Sequence, residues 1–151
     1  VGSGTVSQPS FTTLEFETGI ANNTLLFGSM HQGEHASAQV KLNGIGAISS
    51  FTDGEKYNIG VGRKFNDSLS ASLSYTTEEG SSATGTSLLS PTNGTDTYAL
   101  GINYSTESVD IAFGYAMSSF GDKAVTTAYG TGNFTNNDAT TTGLRIKFKL
   151  P

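Results

Sequence analysis

Residues 142–150 read Thr-Gly-Leu-Arg-Ile-Lys-Phe-Lys-Leu, and an extended chain sends alternate side chains to opposite faces. Leu144, Ile146, Phe148 and Leu150 therefore share one face, and Arg145, Lys147 and Lys149 the other. The same alternation recurs at 57–65, 69–75, 98–104 and 109–117, where large apolar residues alternate with Gly, Ala, Ser, Asn or a charge. Membrane β-barrels need this pattern, because apolar side chains face lipid while small and polar ones face the lumen.

Composition narrows the field. A chain of 151 residues is about one domain; 35% hydrophobic residues make it too apolar for disorder, and 14% charged residues are few for a soluble surface. Its 19 glycines, with much Ser, Thr and Asn, suit turns and a crowded lumen and break long helices. No window sustains apolar residues at helical spacing and no apolar run approaches the length of a spanning helix, so insertion into a membrane would be by strands. Without Cys there are no disulfides or thiolate metal sites, and a net charge of -5 gives no electrostatic case for nucleic acid. Val1 opens without the charged and apolar regions of a signal peptide, which is expected of a mature chain or of one whose targeting segment is gone.

Eight strands are expected, at about 11–20, 24–33, 37–50, 55–65, 68–77, 96–105, 108–119 and 140–150, most of them long enough to cross a bilayer obliquely. The third breaks its alternation at Gly44-Ile-Gly46 and reads either as an irregular strand or as part of a long loop. Tight turns are expected at Asn66-Asp67 and Thr106-Glu107, with long polar loops at 78–95 and 121–139. Short turns belong to the periplasmic side of outer-membrane barrels and long loops to the exterior, which puts the C-terminus in the periplasm. Residues 1–10, rich in Gly and Ser and carrying Pro9, read as a flexible lead-in, and 11–151 as the barrel domain.

The fold class expected is thus all-β, a transmembrane antiparallel up-and-down barrel of eight strands. Closure would bring Glu15 and Glu17 of the first strand, on its inward parity, beside Arg145, Lys147 and Lys149 of the last. Together with Asp110, these form an expected luminal charge network. Side chains just fill an eight-stranded interior, so a structural role outweighs a ligand-carboxylate site. Tyr57, Phe65, Tyr75, Tyr98, Tyr104 and Tyr115 fall near strand ends on the outward parity, as interfacial aromatic girdles do. A soluble barrel or sandwich with its faces reversed is the alternative, but it would expose Ser70, Ser72, Ser74, Gly60, Gly62, Gly101 and Gly114 on an almost uncharged surface.

Four segments occur in a telling order. They are 13–29 (Thr-Leu-Glu-Phe-Glu-Thr-Gly-Ile-Ala-Asn-Asn-Thr-Leu-Leu-Phe-Gly-Ser), 57–66 (Tyr-Asn-Ile-Gly-Val-Gly-Arg-Lys-Phe-Asn), 88–94 (Leu-Leu-Ser-Pro-Thr-Asn-Gly) and 143–148 (Gly-Leu-Arg-Ile-Lys-Phe). In this order, over most of 11–150, the chain resembles the C-terminal half of the FadL-type long-chain fatty acid transporters, the OMPP1/TodX family. The resemblance implies an outer-membrane barrel that binds or passes hydrophobic compounds such as fatty acids. Family members have nearly twice the strands and an N-terminal hatch, for which nothing here qualifies, and their acidic-aromatic stretch is replaced by Met30-His-Gln-Gly-Glu-His35. The family pattern would also put 34–54 in an outer loop and leave seven crossings. Either 37–50 is a true strand of a compact barrel, or the chain is a piece of a larger one.

No catalytic constellation stands out, and no enzymatic activity, cofactor or metal is expected. His31, Glu34 and His35 are ligand types, but histidines four apart share a face only on a helix, and this segment reads as a strand end or turn. Leu88, Leu89, Tyr129 and Phe134, apolar residues in polar outer loops, are the expected ligand-binding mouth. Partners expected are membrane lipid or detergent and a fatty acid or similar hydrophobic ligand. The alternative is a structural barrel whose external loops bind a partner, and a lipid-modifying enzyme stands as a third, minor reading.

Overall fold

In the computed structural model, described for residues 2–47, 52–80, 93–127 and 130–149, the alternating segments become long antiparallel strands. The strands in chain order are β1 (Gly4–Thr5), β2 (Phe11–Ala21), β3 (Thr24–Gly33), β4 (Lys41–Leu42), β5 (Gly46–Ala47), β6 (Gly54–Lys64) and β7 (Leu69–Glu78), then β8 (Thr95–Ser105), β9 (Val109–Phe120), β10 (Lys123–Thr127), β11 (Gly130–Phe134) and β12 (Asn137–Phe148). Seven of them form one sheet in the order β12-β9-β8-β7-β6-β3-β2, a meander in which chain neighbours pair. This is an all-β, antiparallel up-and-down sheet, the strand arrangement of a β-barrel wall.

All three short turns lie at one end of this sheet, and each has a local cause. At Asn22-Asn23, Asn23 takes φ 56, a left-handed conformation that Asn tolerates, and its carbonyl accepts from the Lys64 amide at 2.8 Å. Asn66 Oδ1 accepts from the amides of Ser68 (2.9 Å) and Leu69 (2.8 Å), closing the β6–β7 turn. Thr106 Oγ1 accepts from the Ser108 and Val109 amides (3.3 and 3.1 Å) and closes the β8–β9 turn. The other end carries the long connections. One holds the β10–β11 hairpin, where Val125 is fully buried and Asp122 Oδ1 accepts from the Asn136 amide at 3.1 Å.

The expected third strand is corrected. The described part of that segment, residues 37–47, does not cross the sheet; β3 pairs directly with β6, Gly33 opposite Gly54. A 3-10 turn at His35–Ala38 leaves the end of β3, with the Ala36 amide donating to Asp53 Oδ1 at 2.9 Å. Gly44 (φ 83) and Gly46 (φ 94) then fold the chain back, so that β4 pairs with both β1 and β5. These left-handed glycine positions break the alternation that a crossing strand requires. Gly4–Thr5, inside the expected lead-in, thus joins a small sheet at the long-loop end.

Among the described residues the main sheet has seven strands, and an odd antiparallel meander has its first and last strands running the same way. Every residue of β2 and all of β12 after Asn137 are exposed, and among the described residues neither strand has a second neighbour. The eight-stranded closure, with its antiparallel seam between first and last strands, is not the arrangement found.

Candidate functional site

Register aligns residues across the sheet into level rows. On the outer face one row runs Phe16, Gly28, Ile59, Tyr75, Tyr98, Met117, Thr140, and the next Thr18, Leu26, Val61, Leu73, Leu100, Tyr115, Thr142. Ile59 (51% exposed), Leu73 (56%) and Ile146 (50%) leave this face open although it is apolar, as a lipid-facing wall is. Tyr57, Tyr75 and Tyr98 mark its long-loop end, with Tyr75 and Tyr98 ring centroids 4.9 Å apart; Tyr104 and Phe65 lie toward the turn end. Tyr115, expected at a strand end, sits in a middle row opposite Leu100.

The inner face is built of small residues. Its central row is Gly19, Leu25, Gly62, Ser72, Gly101, Gly114, Gly143, and the next toward the loops is Glu17, Phe27, Gly60, Ser74, Ala99, Ala116, Thr141. Leu25 and Phe27 are the large apolar side chains in these rows, and the glycines make room for them. A Cβ at Gly60 would collide with the Phe27 ring, and one at Gly62 would sit 3.4 Å from Leu25 Cγ. One row further toward the loops, Asn58 Nδ2 donates to Thr76 Oγ1 at 2.7 Å, and the Thr97 and Ser118 hydroxyls pair at 2.8 Å.

Cations line the turn end of the same face. Lys64 and Arg145 bound the row Lys64, Ser70, Asn103, Ala112, Arg145, and Lys147 lies opposite Asp110. Lys149 Nζ contacts Asp110 Oδ1 at 2.7 Å, Ser105 Oγ at 3.2 Å and the Thr106 carbonyl at 2.7 Å. Lys64 Nζ contacts Asp67 Oδ1 at 2.7 Å in the turn, where this ammonium holds the Asp67 carboxyl below the usual carboxylate range. Beside Lys64 is an open hollow of about 720 Å³ whose walls include Leu25, Phe27, Gly62, Ser70, Ser72 and Asn103.

The residues singled out from sequence fall into three groups. Asp110 and Lys149 are brought together. Glu15 and Glu17 lie on β2 at one edge of the sheet, Arg145 and Lys147 on β12 at the other, and none of these four has an ion-pair partner among the described residues. Of the expected mouth, Leu88, Leu89 and Tyr129 lie outside the described residues, and Phe134 is half-buried in the β11 hairpin strand. His31, another residue weighed from sequence, bonds the Thr13 hydroxyl through Nδ1 at 2.8 Å and stacks near Phe11, while Glu34 accepts from the Ser10 hydroxyl. Sequence reading missed Leu25 and Phe27. Their signal was an inward parity occupied by large apolar residues where neighbouring strands carry Gly or Ser.

No family model and no curated protein matches the chain. Among solved structures, the crystal structure of a Pseudomonas aeruginosa FadL homologue is similar in fold, with TM-score 0.68 at 16% sequence identity over 96% of this chain. The chain spans 35% of that protein's length. The similarity establishes the fold, a FadL-like strand wall.

Proposed function

We propose that this chain forms part of the wall of an outer-membrane β-barrel that binds or passes hydrophobic compounds such as long-chain fatty acids, without catalysing a reaction. The observation that carries this reading is the two-sidedness of the sheet. One face exposes Ile59, Leu73, Leu100 and Ile146 to lipid, and the other is small and polar apart from Leu25 and Phe27. Its likeness to a FadL homologue supports the same reading, as does the grouping of all short turns at one end, which by the habit of such barrels is the periplasmic one. The Phe148 end of β12 lies at that end, which supports a periplasmic C-terminus.

The test is binding of radiolabelled oleate to the detergent-folded protein, alongside its gel mobility before and after heating. Saturable binding by a heat-modifiable species supports the reading. A heat-modifiable protein that binds no oleate would instead favour a surface-interaction barrel, for which the ordered β10–β11 hairpin around Val125 is the specific structural support.

A further inference from the structure

We propose that the hollow on the inner face beside Lys64 is the binding site for the ligand, an anionic amphiphile whose apolar chain lies on Leu25 and Phe27 and whose head group meets Lys64. This rests on the functional reading above and deepens it by moving the site from the loops to the wall. Three properties coincide in the hollow. Its volume of about 720 Å³ lies within the range of roughly 300–1,000 Å³ typical of ligand sites. Its apolar surface comes from Leu25 and Phe27, which stand on the inner face of β3 over Gly62 and Gly60, where a lumen-facing apolar residue has no lipid to meet. Its polar wall includes the uncharged Ser70, Ser72 and Asn103, with Lys64 and its partner Asp67 at the turn.

Charge favours an anion there. Lys64 is about half exposed (53%) and spends one contact on Asp67, a carboxylate that points into solvent at the turn, leaving two ammonium protons for a ligand. Lys64 is the cation of inward parity at the hollow and Asp67 the carboxylate at its rim, whereas Glu15 and Glu17 are not among its walls. A carboxylate head with an extended apolar chain satisfies both ends. A neutral hydrocarbon would leave Lys64 unused, and a small anion would leave Leu25 and Phe27 unused.

Oleate and the uncharged oleyl alcohol, measured against the same detergent-folded protein, separate the possibilities. F27N, and S70W as a filling variant, are expected to weaken both ligands by about tenfold or more. K64Q is expected to weaken oleate and leave oleyl alcohol unchanged, whereas F134S in the loop hairpin should change neither. Lys64 is an exposed turn-end residue, so K64Q decides the matter even where a wall variant does not fold. Oleate binding that is unchanged in K64Q, or lost only in F134S, would overturn this site while leaving the functional reading intact. Failure of the intact protein to bind either ligand would overturn the functional reading itself.

Discussion

Phe27 lies over Gly60, its register partner on the next strand, so closely that a Cβ at Gly60 would run into the ring and stand 2.8 Å from Ser74 Cβ. This contact joins a sequence feature, glycine in the inward parity of β6, to the shape of the inner wall. Any side chain at position 60 must push Phe27 off the sheet.

Gly60→Val is therefore expected to destabilise the folded protein by about 1–3 kcal/mol, the usual cost of overpacking. The change would be read as a lower denaturant midpoint. Gly114→Val supplies the contrast, since nothing lies within 4 Å of a Cβ there. Equal losses at both positions would mean that the ring does not rest on Gly60.

The two faces of β7 make a second test. Leu73→Arg puts a guanidinium on the apolar face and is expected to cost roughly 2–4 kcal/mol at mid-depth, whereas Ser72→Arg, its inward neighbour, should cost much less. Folding yield into detergent or lipid vesicles measures both. The reverse ranking would exchange the inner and outer faces.

Lys149 and Asp110 connect the end of β12 to β9 at 2.7 Å, with both side chains about one-third exposed. A double-mutant cycle with Lys149→Met and Asp110→Asn is expected to give a coupling of about 1 kcal/mol or less, because solvent screens the pair. A coupling near zero would make the pair incidental to holding β12.

Acid should act locally at the β6–β7 turn. Hydrogen bonding and attraction from Lys64 lower the Asp67 carboxyl, so its pairing contribution is complete above the ordinary carboxylate pKa and fades as pH falls through the lowered folded value. A carboxyl carbon titration should find the Asp67 midpoint below that of an ordinary Asp and moving up in Lys64→Met. An unmoved midpoint would remove Lys64 as the cause.

Much of this wall was legible from residues alone. Side-chain period two is a local property of extended backbone, so the faces of β6 to β9 and β12 could be read directly, as could the turns at Asn66-Asp67 and Thr106-Glu107, whose side chains bond the adjacent backbone. The strand count was not legible in the same way. Gln39-Val-Lys-Leu-Asn43 alternates as a strand does, and only the direct pairing of Gly33 with Gly54 excludes it from the sheet. That pairing is a long-range choice, made by the left-handed turns at Gly44 and Gly46 and by the registers of β3 and β6 together.

The site divides along the same line. Sequence determined which way Glu15, Glu17, Arg145 and Lys147 point, because parity belongs to each strand by itself, but it did not single out Leu25 and Phe27. Tertiary structure decided which of them meet. The levels of neighbouring strands bring Leu25 and Phe27 onto Gly62 and Gly60, and the strand order puts Glu15 and Arg145 at opposite edges of the sheet. The physical reason is that a strand carries its own alternation but not its neighbour, its level or the number of strands beside it. Those come from hydrogen-bond pairing summed across the sheet.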